Sequence, residues 1–354
     1  MPARWQAMFA GLMSRIEGRF ARVEPRLRAR QLVLGLLADL PRKNCWTIAE
    51  HIGDTSPDGL QHLLGRAKWD ADLVRDDLRA FVVEHLAHDQ AVLVVDETGD
   101  LKKGACTVGV QRQYTGTADR IENSPVAVYL TYASQHGHAG IDRALYLPKS
   151  WTSDPERCRQ AGVPDDVAFA TKPQLARQMI ERALDAGVPA AWATGDEVYG
   201  DNPHLRAALE KRQLGYVLAV SSTHRVPTSA GPQRADCLAK KIPKRAWQKL
   251  SAGMGAKGYR WYDWAQVAIT ASGLAGTARS PLTGRTGRGS SGRRRVCSAG
   301  PSRGTSTRFS GGAPPASGRS PRPPGPRAPF PGCGTRCASM SRPQGSVSED
   351  SDFR

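Results

Sequence analysis

After Ile269 this 354-residue chain changes character. Residues 270–354 contain no Lys, Ile, Asn, His, Tyr or Trp, and 11 Pro with 15 Gly fill 26 of those 85 positions. Such a stretch cannot bury enough apolar area to offset the entropy of ordering it, so it is expected to be a disordered Arg/Gly/Pro/Ser-rich tail. Any packed core has to come from residues 1–269. The formal net charge of +17 is divided the same way: residues 264–354 carry 14 Arg and 3 acids, a net of +11, which leaves +6 for residues 1–263. A bulk charge of this kind argues for loose association with polyanions and says nothing of a fold or a reaction.

The seven cysteines, Cys45, Cys106, Cys158, Cys237, Cys297, Cys333 and Cys337, are odd in number and form neither CxxC pairs nor a Cys/His array at zinc spacing. A reduced, cytoplasmic protein is the expectation. The N-terminus lacks a charged-then-apolar signal pattern, and the longest apolar stretch, Leu32 to Leu40, is interrupted and far short of a membrane span.

Residues 1–88 read as helices. Leu73, Leu78, Phe81, Val82 and Leu86 recur at near-helical spacing with Asp72, Asp76, Arg79 and Glu84 between them, an amphipathic stripe. Ahead of it, Trp46 to Gly53 and Pro57 to Leu64 form two short helical patterns joined by a polar turn. That arrangement suits a DNA-reading helix-turn-helix, and equally a pair of ordinary helices in a helical domain.

From Ala91 the period changes. Ala91 to Val95 is a short, continuous apolar run, the mark of a buried strand, and it ends at Asp96-Glu97-Thr98-Gly99. Cys106 to Tyr114 and Val126 to Tyr132 are rich in strand formers and flank a polar turn region, which predicts three consecutive strands in a meander. A helix over Lys172 to Ala186 is stopped by Gly187; a strand over Ala191 to Thr194 ends at Gly195-Asp196-Glu197; a helix begins after Pro203; and Tyr216 to Val220 is a last strand. Strands and helices in this order describe an α/β sheet of mixed direction over residues 89–269.

Asp96 and Asp196 thus share a setting: each closes a predicted strand, and each is followed by Glu. Strand ends are where an α/β sheet opens toward ligands, and clustered carboxylates there can hold the divalent cations that stabilise the attacking and leaving oxygens of a phosphodiester. An Asp after a strand is also a common turn former or helix cap, so the pair alone leaves both readings open. Lys102, Lys103 and Arg112 follow Asp96 closely and could reach backbone phosphates, or could belong to a solvated loop. His136, His138 and His204 lack ligand-spaced partners and read as surface or packing residues, and Trp151, Trp192, Trp247, Trp261 and Trp264 read as core or edge aromatics.

Several ordered strings resemble the DDE insertion-sequence transposases of the seven-oh-one family. They are Val94-Val-Asp-Glu-Thr-Gly-Asp-Leu-Lys-Lys-Gly104, Val108-Gly-Val-Gln-Arg-Gln-Tyr-Thr-Gly116, Leu145-Tyr-Leu-Pro-Lys-Ser-Trp151 with Asp154 and Ala161-Gly-Val-Pro164, and Gly195-Asp-Glu-Val-Tyr-Gly200. The resemblance runs over roughly residues 30–269. It implies a mixed, RNase H-like sheet, incomplete here, behind a helical N-terminal domain that contacts DNA. It also implies Asp96 and Asp196 as catalytic acids binding Mg2+ (or Mn2+), and cleavage and strand transfer at transposon ends and a target. A bacterial, nucleoid-associated location is the expectation; a homo-oligomer on DNA is one of the states the sequence leaves open.

The family's third acid is a Glu on a later helix. No Asp or Glu occurs between Asp263 and Glu349, so no position can take that role. The abrupt change near Ile269 is what reading GC-rich DNA out of frame produces, and a frameshift there is the expectation. The sequence reading is therefore a transposase that is catalytically defective in this chain, with a non-catalytic DNA-binding remnant occupying transposon ends as the alternative. A third, weaker reading makes the Arg/Gly tail a nucleic-acid tether.

Overall fold

The computed structural model describes residues 3–255, 258–265, 283–284 and 296–300. The helical beginning is present as α1 (Ala3–Ile16), α2 (Val23–Leu37), α3 (Cys45–His51), α4 (Asp58–Gly65) and α5 (Ala71–Leu86). Local chemistry sets their starts. Asn44 and Thr47 form a reciprocal capping box at α3, and the Asp70 carboxylate accepts from the Asp72 and Leu73 amides at α5, satisfying N–H groups that have no partner inside a helix. Phe9, Met13, Ile16, Phe20, Ala29 and Leu63 make one small core here, and Ile48, Ala49 and Leu60 another.

Five strands follow from the middle of the chain: β1 (Val92–Gly99), β4 (Val126–Ser134), β5 (Gly137–Tyr146), β6 (Trp192–Gly195) and β7 (Gly215–Val220), while β2 (Gln111–Thr115) and β3 (Arg120–Ser124) form a separate hairpin. Within the sheet these five lie in the order β7-β6-β1-β4-β5; β6 runs parallel to β1 and to β7, and β4 is antiparallel to β1 and to β5. A three-strand antiparallel meander extended by two parallel strands on its first member is the RNase H-like arrangement. The intervening helices are α6 (Lys149–Thr152), α7 (Pro155–Gln160), α8 (Lys172–Asp185), α9 (Glu197–Gly200) and α10 (Pro203–Lys211). Beyond β7 come the short pair β8 (Arg225–Val226) and β9 (Gln233–Arg234), α11 (Ala235–Lys241), and the hairpin β10 (Gln248–Gly255) with β11 (Gly258–Trp264).

The main core is built from Leu93, Val95, Val128, Leu130, Tyr132 and Ile141 of the sheet against Ala176, Met179, Ile180 and Ala183 of α8, all with 3% exposure or less. Full burial of a Leu, Ile or Met side chain contributes about 1.5–3 kcal/mol, so α8 is fixed chiefly by this face. Val82, Val83 and Leu86 of α5 pack against the same core.

The structure corrects two sequence expectations. The meander is β1, β4 and β5; Cys106 to Tyr114 yields only β2, which pairs with β3 outside the sheet, and β3 begins in the segment expected to be a turn. On α5, Leu73 is exposed, and the buried residues are Arg75 and Arg79, because ion pairs rather than an apolar stripe seat that part of the helix. Trp261 is an exposed aromatic on β11, an edge strand of its two-stranded sheet. Within residues 270–354 the described residues are β12 (Thr283–Gly284) and β13 (Val296–Gly300), the latter pairing antiparallel with β7. The remainder of 270–354 lies outside the described residues. Among the described residues no helix is long and apolar enough to cross a membrane.

Three carboxylates on α5 tie it to its neighbours. Asp77 accepts from Arg19 at 2.6 and 2.8 Å, Asp72 accepts from Arg143 of β5 at 2.9 Å, and Glu84 pairs with Arg15 of α1. The hydrogen bond from each arginine is the main reason these acids sit below their ordinary values of 3.8, 3.8 and 4.5. A carboxylate depressed in the folded state stabilises it fully above its unfolded value, and loses that contribution as the pH falls through the folded value. Thermal unfolding followed between about pH 6 and about pH 3 should therefore show stability falling only below the ordinary carboxylate range. Asp77→Asn should remove part of that slope, and an unaltered slope would show that the Arg19–Asp77 pair contributes nothing.

Candidate active site

The parallel pairing of β1 with β6 sets Val92 beside Trp192, Leu93 beside Ala193 and Val94 beside Thr194. Two residues further along each chain stand Asp96 and Asp196, so the same offset brings both to one level of adjacent strands, which run about 4.8 Å apart. Asp196 follows the end of β6 as expected, whereas Asp96 does not close its strand: pairing with β4 carries β1 on to Gly99. Alternation along β1 sends Leu93 and Val95 into the core, and Asp96 away from it toward solvent. Asp196 is half-buried and caps α9, its Oδ1 accepting from the Val198 amide at 2.9 Å; Asp96 Oδ1 accepts from the Glu97 amide at 2.8 Å.

The environment holds surplus negative charge. Burial pushes the Asp196 carboxyl above the ordinary carboxylate value, and the charges of Glu97, Glu197 and Asp96 push it the same way against the Val198 hydrogen bond. Glu197 Oε2 is buried without a hydrogen-bond partner. Oxygen donors, uncompensated charge and a buried lone carboxylate oxygen together fit a hard divalent cation such as Mg2+ or Mn2+. Among the described residues no group of three or more His, Cys, Asp or Glu side chains is arranged to hold a metal by itself.

Gly99 and Gly195, the last residues of β1 and β6, are there for space. A Cβ on Gly99 would stand 2.7 Å from the Thr115 Cβ, so its absence lets the β2–β3 hairpin close over the end of β1. A Cβ on Gly195 would press on the Tyr199 ring at 3.1 Å. Of the three cations expected to contact DNA, Arg112 lies on this hairpin, and Lys102 and Lys103 lie in the loop that joins β1 to it. Arg112 on β2 pairs in register with Asn123 on β3, and the Asn123 amide donates to the carbonyls of Lys102 and Gly104 at 2.9 and 3.0 Å. Lys103 and Arg112 are exposed, whereas Lys102 is half-buried and paired with Asp100 at 2.6 Å.

The Leu145–Pro164 motif braces this assembly from the other side. Trp151 is 1% exposed, donates through Nε1 to the Val110 carbonyl at 2.9 Å, and lies under the Arg157 guanidinium, which in turn donates to the Ala105 carbonyl at 2.8 Å. His136, His138 and His204 are exposed, as the sequence reading had them.

Sequence reasoning missed Glu97, Lys172 and Tyr199. Glu97 Oε1 takes the Lys172 ammonium at 2.6 Å, and Oε2 accepts from the Tyr199 hydroxyl at 2.5 Å. The signal was present in the Glu that follows Asp96, but its partners stand 75 and 102 residues away.

A profile of DDE superfamily endonucleases matches residues 16–268. The probable transposase for insertion sequence element IS701 of Microchaete diplosiphon is 29% identical over 197 residues, which are 55% of this chain and 49% of that relative. The chain thus spans about half the length of the curated relative.

Proposed function

The chain belongs to the DDE superfamily endonucleases, and from that premise we propose that it derives from a transposase that cuts and rejoins DNA, with Asp96 and Asp196 as its divalent-metal ligands. The observation that carries the reading is the common offset of these two acids from the β1–β6 pairing, Asp96 within β1 and Asp196 just past β6, one hundred residues apart in sequence. A bound Mg2+ or Mn2+ would supply stabilisation of the oxygens that gain charge as a phosphodiester is exchanged.

The chain's own residues do the rest. Asp96 and Asp196 present carboxylate oxygens on the open side of the sheet. Lys103, in the loop after β1, and Arg112, on the β2–β3 hairpin, offer exposed cations to DNA backbone phosphates, which positions a strand without reading its sequence. Lys102, committed to Asp100, acts beside them by holding the loop. The helices α3 and α4 occupy the two segments expected to form a helix-turn-helix, and their role in DNA contact belongs to this proposal.

The same proposal holds that this chain is catalytically defective. No acid lies between Asp263 and Glu349, so the third carboxylate of the family has no counterpart there. A site short of one ligand holds its cations loosely and misplaces the attacking water, which lowers the rate by orders of magnitude.

The test is Mg2+-dependent nicking of duplexes that carry the DNA flanking this gene. The chain should bind these duplexes without nicking them. A version read in another frame beyond codon 269 should restore a Glu-bearing helix and nicking, and Asp96→Asn or Asp196→Asn should abolish that nicking. Nicking by the chain as it stands would overturn the defect, and restored nicking that survives both substitutions would overturn the assignment of the acids.

A further inference from the structure

A hydrogen bond from Tyr199 of α9 to Glu97 joins that helix to the last part of β1. Glu97 stands on the core side of β1, with a side chain 15% exposed, and Tyr199 is fully buried. Lys172, the first residue of α8, is 19% exposed; its helix start is fixed by the Thr171–Gln174 capping box. One carboxylate therefore uses its two oxygens to join three elements: β1 through its own backbone, α8 through Lys172 and α9 through Tyr199.

Each of these joints bears on an acid of the candidate site. Asp96 precedes Glu97 on the strand and accepts from the Glu97 amide, so fixing the Glu97 side chain on one face sets the orientation of Asp96 on the other. Asp196 caps the single-turn α9, in which Tyr199 comes three residues later. Four residues cannot hold a helix by themselves, so the location of Asp196 depends on what Tyr199 and its neighbours grip. With both oxygens committed to Lys172 and Tyr199, Glu97 is not free to act as a ligand itself. Burial and the neighbouring carboxylates push the Tyr199 hydroxyl far above its ordinary value, so it remains a proton donor to Glu97 throughout the working pH range.

We propose that Glu97 is a positioning residue: by gripping Tyr199 and Lys172 it holds the turn of Asp196 at a fixed distance from Asp96, so that both acids can share one divalent cation. The inference rests on the reading of Asp96 and Asp196 as metal ligands. Groups that orient metal ligands without touching the metal typically change affinity by about 10–100-fold when removed.

Mn2+ titration of the full chain, followed by electron paramagnetic resonance and paired with thermal unfolding, tests it. Tyr199→Phe removes one oxygen and keeps the ring that fills the space beside Gly195. It should weaken Mn2+ binding about 10–100-fold while cooperative unfolding persists. Glu97→Gln keeps an acceptor for Tyr199 and should retain more affinity than Glu97→Ala, which keeps none. The Asp96→Asn chain defines the signal that belongs to this site. Should Tyr199→Phe and Glu97→Gln bind Mn2+ as the parent does and lose only thermal stability, the bond is a structural stitch and the inference is wrong. Should the parent itself bind no Mn2+ that Asp96→Asn loses, the ligand assignment fails first and the inference falls with it.

Discussion

Replacing Asp142 by Ala is expected to destabilise the protein by about 3–5 kcal/mol, the cost of removing one partner from a buried ion pair, and to lower Tm by about 6–20 °C at this domain size. The Asp142 side chain is completely buried. Its Oδ2 accepts from Arg182 of α8 at 2.9 Å, its Oδ1 accepts from the Arg143 amide at 2.8 Å, and the Arg75 guanidinium of α5 lies 3.7 Å from Oδ1. Arg75 is only 9% exposed, and its remaining partners are Asp72 at 2.9 Å and Asp76 at 2.8 Å. Without Asp142 the buried Arg75 and the half-exposed Arg182 lose the carboxylate between them, and the Arg143 amide loses its acceptor. Asp142→Asn should fall between, because it preserves an acceptor and loses the charge. Unfolding of both variants by heat and by denaturant, with unchanged m-values, would establish that the loss lies in the folded state. A Tm within a degree or two of the parent would show that α5 and α8 do not rely on this carboxylate.

That residue also marks where the sequence stopped being readable. Asp96 and Asp196 were legible because each ends an apolar run, and a parallel pair needs only a constant offset to bring such ends together. The strand containing Asp142 was not, since Gly137-His-Ala-Gly-Ile-Asp-Arg shows neither alternation nor an apolar run. Its register shifts between Leu130 and Thr131 of β4, and this bulge lets the consecutive residues Ile141 and Asp142 both be buried. What compensates the charge comes from Arg75 and Arg182, 67 and 40 residues distant, and local pattern carries no trace of such partners. The same holds for α5, whose buried arginines look like a solvent face to a helical periodicity, and for Glu97, whose grip on Tyr199 is a long-range fact. The β2–β3 hairpin was misassigned for a different reason. Its residues have strand propensity, but Gly99 and Thr115 fold it back over β1, where it pairs only with itself.

The candidate site should collapse together with the fold around it in Gly200→Ala. A Cβ at this position would fall inside the carbonyl oxygen of Ala219 and 2.8 Å from its carbon, and the Leu218 Cβ would be 3.1 Å away. These obstacles are backbone and first side-chain atoms of β7, which is paired with β6 on one side and β13 on the other, so the strand cannot yield. Overpacking a firm interior costs about 1–3 kcal/mol, and the cost here should reach or pass the upper end because no rotamer change relieves it. The element that can move is α9. It carries Asp196 at its first capped position and Tyr199 at its third residue, so any displacement that rescues packing separates Asp196 from Asp96 and strains the bond to Glu97. Gly200→Ala should therefore lower Tm and abolish Mn2+ binding together. Gly11→Ala, in the middle of exposed α1 with nothing within 4 Å of the new methyl, should be neutral or stabilise by about 0.5–1 kcal/mol. Parent-like Tm and Mn2+ affinity in Gly200→Ala would mean that the turn after Asp196 is free to adjust, and that the approach of α9 to β7 does not set the site.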